Sequence, residues 1–220
     1  MTQAPLFFSR GVYAITDETL LTGAFLFEGV QAALEARLSL LQYRNKYSPW
    51  AERVAQCQAI KTLCAQFQTP FLINDDVDLC IEVGADGVHL GQGDSRLLTA
   101  RQRLGDSSII GITCHNNLSL AREAEAHGAS YVAFGRFFPS STKPLAPPAT
   151  LDDLRQARAA LRLPIVAIGG INPENGATLI EAGADMLAVI HYLFAFPDVS
   201  ARVRQLNSLF QSSIAPPNKR

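Results

Sequence analysis

The chain has 220 residues, of which 48% are hydrophobic and 18% charged, a composition that supports a packed core and excludes an intrinsically disordered protein. The 19 basic residues nearly balance the 20 acidic ones, so the net charge of −1 gives no broad attraction for nucleic acid or an anionic membrane. No apolar run is long enough to cross a bilayer, the first ten residues lack the features of a signal peptide, and the four cysteines have neither Cys-x-x-Cys nor zinc-finger spacing. We therefore expect a cytoplasmic protein with no nucleic-acid or membrane partner.

Short apolar runs alternate with segments of helical periodicity along the whole chain, which is typical of consecutive β–α units. The predicted strands lie at residues 12–15, 39–43, 71–73, 87–90, 109–112, 131–134, 165–168 and 186–190. The predicted helices lie at residues 26–37, 50–66, 77–83, 97–104, 118–127, 151–161, 174–182 and 199–210.

Three of the helix-to-strand connections share the phrase Gly-Ala-Asp or a close variant of it, at 84–86, 128–130 and 183–185. Glycine there can end a helix in the left-handed conformation, and the next residues then enter the strand. Eight such units without a break in composition predict a single α/β domain, a (β/α)8 TIM barrel over residues 11–212, with an N-terminal extension at 1–10 and a disordered tail at 213–220. The alternative is a doubly wound open sheet, which is less favoured because no Gly-x-Gly-x-x-Gly follows the first strand.

Two acidic residues follow neighbouring predicted strands: Asp75 follows the third strand and Asp94 the fourth. Parallel strands end at the same rim of a sheet, so these carboxylates are expected side by side, where they repel each other unless a cation lies between them. Mg²⁺ prefers oxygen ligands of this kind and usually also binds a substrate phosphate. The sequence therefore predicts a Mg²⁺ site at Asp75 and Asp94.

Other polar side chains also concentrate after predicted strands, where the active sites of barrels lie. Gln42, Arg44 and Lys46 alternate at the end of the second strand, and the two cations suit a phosphate, although a solvated loop would explain this triplet alone. The hydroxyls and ammonium of residues 140–143, and the glycine pair 169–170, are likewise suited to phosphate oxygens. We expect two anion-binding regions, one for a diphosphate around Arg44, Lys46, Lys143 and the metal, and one for a monophosphate around Ser140, Thr142, Gly170 and the loop after the eighth strand.

No nucleophile or dedicated base stands out in the sequence. Cys114 and His115 are adjacent on a predicted strand end and point to opposite faces, which argues against a Cys–His dyad. His89 faces away from its neighbours Val88 and Leu90, and is either a buried, hydrogen-bonded histidine or a site residue. A metal-bound diphosphate as leaving group would explain the missing nucleophile, because its departure needs charge stabilisation and positioning.

These residues resemble those of the thiamine-phosphate synthase family, over a stretch from about Tyr13 to Phe194. The matching motifs are Gln-Tyr-Arg-Asn-Lys at 42–46, Ile-Asn-Asp at 73–75, Asp-Gly-Val-His-Leu-Gly-Gln at 86–92 followed by Asp94, Ser-Ser-Thr-Lys at 140–143, and Ala-Ile-Gly-Gly-Ile at 167–171. The resemblance implies a (β/α)8 barrel transferase that uses Mg²⁺ to join hydroxymethylpyrimidine diphosphate to hydroxyethylthiazole phosphate, or to its carboxylated form. Diphosphate leaves, and the thiazole nitrogen captures a pyrimidine-methyl cation to give thiamine phosphate.

The resemblance also implies residue roles. Asp75 and Asp94 would hold Mg²⁺, and Gln42 and His89 would orient the aminopyrimidine. The implied ligands of the diphosphate are Arg44, Lys46, Asn74 and Lys143 with Thr113 nearby, and those of the thiazole phosphate are Ser140, Thr142, Gly170, Ile190 and His191. The catalytic candidates among them are Arg44, Lys46, Thr113 and Lys143.

The chain departs from the usual family pattern at four positions, with Arg136 in place of Pro, Ser140 in place of Thr, His191 in place of Ser, and Thr113 in place of Ser. Two alternatives share the barrel: a thiazole tautomerase-like enzyme, which would not need the diphosphate residues, and a non-catalytic regulator that binds thiamine phosphate. The sequence leaves the oligomeric state open, a homo-oligomer included.

Overall fold

The computed structural model describes residues 9–92, 94–139 and 147–212, without the side chains of Asp94, Ser95 and Ser212. Within these residues eight strands alternate with helices. The strands are β1 (Gly11–Ile15), β2 (Leu40–Tyr43), β3 (Phe71–Asn74), β4 (Gly87–Leu90), β5 (Ile109–His115), β6 (Tyr131–Phe134), β7 (Ile165–Ile168) and β8 (Met186–Val189). The helices are α1 (Phe25–Glu35), α2 (Trp50–Gln66), α3 (Val77–Val83), α4 (Asp94–Leu104), α5 (Leu118–Ala126), α6 (Leu151–Ala160), α7 (Pro173–Glu181), α8 (His191–Phe194) and α9 (Val199–Ser212).

The strands pair in sequence order and all in parallel, and β1 pairs with β8 to close the barrel. The predicted (β/α)8 barrel is therefore confirmed. The structure adds the short helix α8, begins α4 already at Asp94, and extends β5 to His115. Residues 1–8 and 213–220 lie outside the described ranges, so the predicted extension and tail stay predictions.

Two apolar layers result from the alternation of side chains along each strand. The barrel interior is filled by a cluster of residues that point inward, which comprises Tyr13, Ile15, Leu40, Leu72, Ile109, Tyr131, Ala133, Val166, Met186 and Ala188. The intervening strand residues point outward and pack against the helices in a second, larger cluster, as Val88 and Leu90 do on β4. A side chain at the carboxyl end of a strand therefore either faces the helices or faces the open mouth of the barrel.

The turns on the two ends of the barrel have different chemistry. Helix α3 ends at Gly84, whose φ of 61° is left-handed, and the repeated glycine at 128 has a φ of 81°. At the other end, helices begin with side-chain caps: Asn117, Thr150 and Asn172 accept hydrogen bonds from the first free N–H groups of α5, α6 and α7. None of the helices in the described ranges is long and apolar enough to span a membrane.

Candidate active site

A cavity of about 420 Å³ opens at the carboxyl ends of the strands. Every strand except β3 and β4 contributes more than one residue at or after its end, and the wall continues through the loops that follow β6, β7 and β8. The polar residues that line it are Tyr13, Gln42, Arg44, Asn74, His89, Thr113, His115, Arg136, Asn172, His191 and Tyr192. The apolar part of the wall includes Ile15, Ala133, Val166, Ile168, Ala188 and Phe196.

A row of hydrogen-bonded side chains, which we call the floor network, crosses the barrel beneath this cavity. Gln42 Nε2 donates to Tyr13 Oη, and the Tyr13 and Tyr131 hydroxyl oxygens lie 2.9 Å apart. Tyr131 Oη is 2.8 Å from His89 Nδ1, and His89 Nε2 is 2.9 Å from Thr113 Oγ1. The floor network thus joins β2, β1, β6, β4 and β5 in one sequence of contacts.

Packing fixes the two tyrosines of the floor network in place. The Tyr13 and Tyr131 rings meet edge to face with centroids 5.9 Å apart, and the His89 ring stacks on Tyr131 at 5.6 Å. Gly111 on β5 makes room for Tyr131, because a Cβ there would overlap the phenol ring. Burial raises the pKa of both Tyr13 and Tyr131 well above the ordinary value, so both phenols keep their protons at neutral pH.

Arg44 lies at the rim of the cavity and is held by two acidic residues of the loop after β1. Its Nη1 is 3.3 Å from Asp17 Oδ2 and 3.3 Å from Glu18 Oε2, and its backbone N–H donates to Thr16 Oγ1 at 2.9 Å. Because a guanidinium carries five N–H donors, this clamp orients the fork while leaving donors for an anion in the cavity.

Asp75 follows β3 in the left-handed conformation, with a φ of 60°. Its Oδ1 accepts from the Gly91 N–H at 3.0 Å, its Oδ2 accepts from Asn74 Nδ2 at 2.9 Å, and its own N–H donates to the His89 carbonyl at 2.8 Å. These bonds tie the loop after β3 to the loop after β4, which leads within a few residues to Asp94 at the start of α4. The two acids therefore follow adjacent strands at the same end of the barrel.

The chemistry of Asp75 fits a Mg²⁺ ligand. Each carboxylate oxygen has two lone-pair directions and accepts one hydrogen bond, so each can still face an ion. Among the described side chains, which exclude that of Asp94, no three His, Cys, Asp or Glu residues form a metal cluster. A Mg²⁺ that keeps several waters needs only one or two carboxylates and a phosphate, so Asp75 and Asp94 suffice in number.

The opposite wall of the cavity is built from the loops after β7 and β8. Gly170 has a φ of 63°, and a Cβ there would overlap the backbone of Pro139. Asn175 Nδ2 donates to the Gly170 carbonyl at 3.0 Å and holds this loop against the start of α7. After β8, Ile190 precedes the four-residue helix α8, whose first N–H groups have no carbonyl within the helix to bind.

The structure gathers most of the predicted site residues that it describes. Eight of them line the cavity, namely Gln42, Arg44, Asn74, His89, Thr113, Gly170, Ile190 and His191. Two described residues, Asp75 and Lys46, do not line it. Asp75 is exposed on the loop after β3, and Lys46 is exposed on the loop after β2, where the alternation of side chains stops because the strand ends at Tyr43. Ser140, Thr142 and Lys143 lie outside the described residues, as does the side chain of Asp94, so their places remain predictions.

Several residues of the site were not found from the sequence. Tyr13 and Tyr131 resemble ordinary core aromatics in an apolar strand, and Asp17 and Glu18 resemble a solvated turn. Asn172 carries a recognisable signal, because an Asn before Pro173 and the following helix predicts a cap. Cys114 is fully buried among apolar residues whereas its neighbour His115 lines the cavity, which agrees with their assignment to opposite faces.

A cavity lined by polar and apolar side chains at the carboxyl ends of eight parallel strands, with a glycine loop after β7 and a short extra helix after β8, is the arrangement found in enzymes of the (β/α)8 barrel class. The family model described as thiamine monophosphate synthase matches residues 12–193. The chain belongs to this thiamine monophosphate synthase family.

Individual relatives agree with the family assignment. A thiamine-phosphate synthase of Saccharophagus degradans is 53% identical over 199 residues, which cover 90% of this chain and 92% of the relative. One from Alcanivorax borkumensis is 47% identical over 216 residues, or 97% of this chain and 100% of the relative. The solved thiamine phosphate pyrophosphorylase of Pyrococcus furiosus superposes with a TM-score of 0.85 at 31% identity and covers 96% of this chain and 100% of that structure. The predictions of a transferase and of a place in thiamine biosynthesis are thereby confirmed.

Proposed function

We propose that this chain condenses hydroxymethylpyrimidine diphosphate with hydroxyethylthiazole phosphate, or its carboxylated form, to give thiamine phosphate and diphosphate. The observation that carries the proposal is a single cavity with cationic and amide groups on one wall, at Arg44 and Asn74, and a glycine loop with an extra helix on the other, at Gly170 and Ile190. Two phosphate-bearing substrates can bind against the opposite walls of such a cavity, with their reactive ends brought together between the walls. The relatives named above carry the name of this activity.

The diphosphate is assigned to the wall formed by β2 to β5. Arg44 and Asn74 donate to its oxygens, and Thr113 adds a hydroxyl donor. Lys46 and Lys143 bring two further cations on the loops after β2 and β6. Gln42 and His89, on the floor of the cavity, hydrogen-bond the aminopyrimidine and hold its methylene carbon towards the thiazole.

The monophosphate of the thiazole is assigned to the opposite wall. Backbone N–H groups at Gly170 and at the start of α8, after Ile190, donate to its oxygens, because helix N-termini and glycine loops bind anions readily. His191 lies at this edge, and Ser140 and Thr142 add hydroxyls from the loop after β6. Arg136 lines the same cavity and supplies a nearby cation, which suits a carboxylated thiazole.

The reaction needs charge stabilisation more than a base. The carbon–oxygen bond to diphosphate breaks with both electrons on the leaving oxygen, and the lone pair of the thiazole nitrogen forms the new carbon–nitrogen bond. Asp75 and Asp94 would hold a Mg²⁺ ion, which supplies positive charge to the departing diphosphate. Arg44 stabilises the same developing charge, and the apolar wall around Ile168 and Ala188 excludes water that would otherwise trap the cation.

The proposal is tested with the purified full chain, both substrates and Mg²⁺. We expect one thiamine phosphate and one diphosphate per turnover, measured by chromatography and by a coupled diphosphate assay, and loss of turnover when the metal is chelated. Isomerisation of a thiazole without diphosphate release would instead identify a tautomerase. Stoichiometric binding of thiamine phosphate without turnover would identify a regulator, and either result would contradict the proposed condensation.

A further inference from the structure

Each side chain in the floor network has both a donor and an acceptor position, so the direction in which one hydrogen bond is donated limits the direction of the next. We propose that Tyr13 and Tyr131 are positioning residues that couple the orientation of the Gln42 amide to the tautomer of His89, so that the two ends of the floor network are set together. This inference rests on the proposed function for the identity of the ligand at each end, but the coupling itself belongs to the protein alone.

The direction of each bond follows from the one before it. A phenol has one O–H to donate, and Gln42 Nε2 donates to Tyr13 Oη, so the Tyr13 proton is left for Tyr131 at 2.9 Å. Tyr131 then donates its own proton to His89 Nδ1 at 2.8 Å. A neutral imidazole that accepts at Nδ1 carries its proton on Nε2, and this proton points to Thr113 Oγ1 at 2.9 Å.

The reverse direction is equally consistent with the heavy-atom positions. If the Gln42 amide turns by half a rotation, its Oε1 accepts from Tyr13, Tyr13 accepts from Tyr131, and Tyr131 accepts from His89 Nδ1–H. His89 Nε2 then accepts from the Thr113 hydroxyl. The floor network therefore has two states, and burial, which raises the pKa of both tyrosines, removes the deprotonated phenols that would break the pattern.

The two states present different groups to the cavity. In the first, Gln42 turns Oε1, an acceptor, towards the cavity, and Thr113 has a free O–H to donate. In the second, Gln42 offers N–H donors and Thr113 offers an acceptor. A ligand with an amino group at Gln42 and an anionic oxygen at Thr113, as an aminopyrimidine diphosphate has, stabilises only the first state at both ends.

The packing around the two phenols supports a role beyond filling space. Tyr13 and Tyr131 come from β1 and β6, which are not neighbours in the barrel, so their contact crosses its interior. A glycine at 111 leaves room for the Tyr131 ring. Apolar side chains would fill this space equally well, but they could not form the hydrogen bonds that link the orientation of the Gln42 amide on β2 to the tautomer of His89 on β4.

The test reads the His89 tautomer by ¹⁵N NMR at about pH 9, where histidine is neutral, with the signal assigned by loss in His89→Gln. The free wild-type protein sets the reference state, and we expect hydroxymethylpyrimidine diphosphate to increase the share of the Nε2–H tautomer. Gln42→Glu places a carboxylate that can only accept from Tyr13, so the tautomer should invert to Nδ1–H. Adding Tyr13→Phe to Gln42→Glu removes the hydroxyl that links residue 42 to Tyr131, and the His89 ¹⁵N signals should move back towards their wild-type positions.

A matched control is Tyr43→Phe, which also removes a buried tyrosine hydroxyl on a strand, one that donates to Gln56 Oε1 at 2.5 Å outside the floor network. We expect Tyr43→Phe to leave the tautomer unchanged. In turnover, Tyr13→Phe should lower kcat by about tenfold with the KM for thiazole phosphate within about twofold, whereas Tyr43→Phe should change both by less than about twofold.

Two results would overturn the proposal. One is a His89 tautomer that does not respond to Gln42→Glu. The other is a His89 tautomer that stays inverted when Tyr13→Phe is added to Gln42→Glu, because the carboxylate would then act on His89 through space and not through the hydrogen bonds. If Tyr13→Phe does not fold, Tyr131→Phe takes its place. The tautomer readout needs no turnover, so a failure of the proposed condensation is separable from a failure of the coupling.

Discussion

At the scale of single residues, Asp75 and His115 share the left-handed backbone conformation, which residues other than glycine rarely adopt. Their φ angles are 60° and 54°, and both lie where the chain leaves a strand at the mouth of the barrel. Such strain persists only where surrounding contacts compensate for it, and it is common at functional sites. For Asp75 the contacts are hydrogen bonds to Gly91, Asn74 and His89, which aim its carboxylate towards the space between the loops after β3 and β4.

Replacing Asp75 by Asn should remove the charge while keeping the shape and the left-handed backbone, which Asn tolerates. We expect Mg²⁺-dependent turnover to fall by about a hundredfold, because one of the two proposed metal ligands becomes neutral. Calorimetry should show thiazole-phosphate binding within about twofold of wild type. Asp78→Asn is the control, because Asp78 is an exposed residue on α3 that pairs with Arg103 of α4. A similar loss of turnover in Asp78→Asn would contradict the metal assignment. So would equal losses of turnover and thiazole-phosphate binding in Asp75→Asn.

Replacing Gly111 by Ala should destabilise the barrel. The new methyl would overlap the Tyr131 ring, which is fully buried and has no space into which to move. We expect the free energy of unfolding to fall by about 2 kcal/mol in a denaturant titration. Gly29→Ala in α1 makes the same chemical change where the nearest atom is the Leu21 Cδ2 at 2.9 Å, the end of a flexible side chain, and should be neutral or stabilising.

At the scale of secondary-structure elements, the helix starts hold the loops of the site. The Asn172 side chain accepts from the N–H groups of Glu174 and Asn175, and Asn175 Oδ1 accepts in return from the Asn172 N–H at 3.0 Å. Asn175 also donates to the Gly170 carbonyl. The cap of α7 and the glycine loop of the proposed phosphate site are therefore one structure.

The variants Asn172→Ala and Asn117→Ala distinguish the effect of losing a helix cap on stability from its effect on thiazole-phosphate binding. Both residues cap a helix after a strand, at α7 and α5, but only Asn172 lines the cavity. We expect each change to lower the free energy of unfolding by about 1 kcal/mol. Only Asn172→Ala should weaken thiazole-phosphate binding, by about fivefold in calorimetry, and an equal effect of Asn117→Ala would argue against the assigned phosphate wall.

At the scale of the whole molecule, the four cysteines report on the integrity of the outer apolar layer, to which all of them belong. Cys57, Cys64, Cys80 and Cys114 are all buried and free, and burial raises the pKa of each thiol to about 12. The thiolate is the reactive form, so these thiols are protected from reagents both by their burial and by their protonation at neutral pH. None of them lines the cavity.

We therefore expect only slow labelling by a thiol reagent in the native state at neutral pH, and rapid labelling of four thiols per chain in denaturant. The labelling rate under native conditions should follow the rate or equilibrium of unfolding rather than the reagent concentration alone. Rapid labelling of one cysteine with catalytic activity retained would show that the helix or strand that carries it opens locally and that the outer layer is not uniformly packed.

The sequence by itself determined the order of strands and helices, because the periods of two and about 3.6 residues are local properties. It also determined which polar residues lie at strand ends, and in parallel strands these ends share one rim, so Asn74 and Asp75 were predicted on the same rim as Asp94 on physical grounds, whereas His89 was assigned to the site only by the family resemblance. Lys46 shows the limit of this reasoning, because a period of two predicts a face only as far as the strand continues, and β2 ends at Tyr43.

Only the tertiary structure decided which side chains meet across the barrel. Tyr13 and Tyr131 are separated by 118 positions, and their contact exists only because closure brings β1 and β6 to opposite sides of one narrow interior. Arg44 and its two acidic partners, 27 and 26 positions away, meet because β1 and β2 pair in a register that no local pattern encodes. Strand periodicity fixes which way a side chain points, whereas barrel closure and strand stagger fix what it points at.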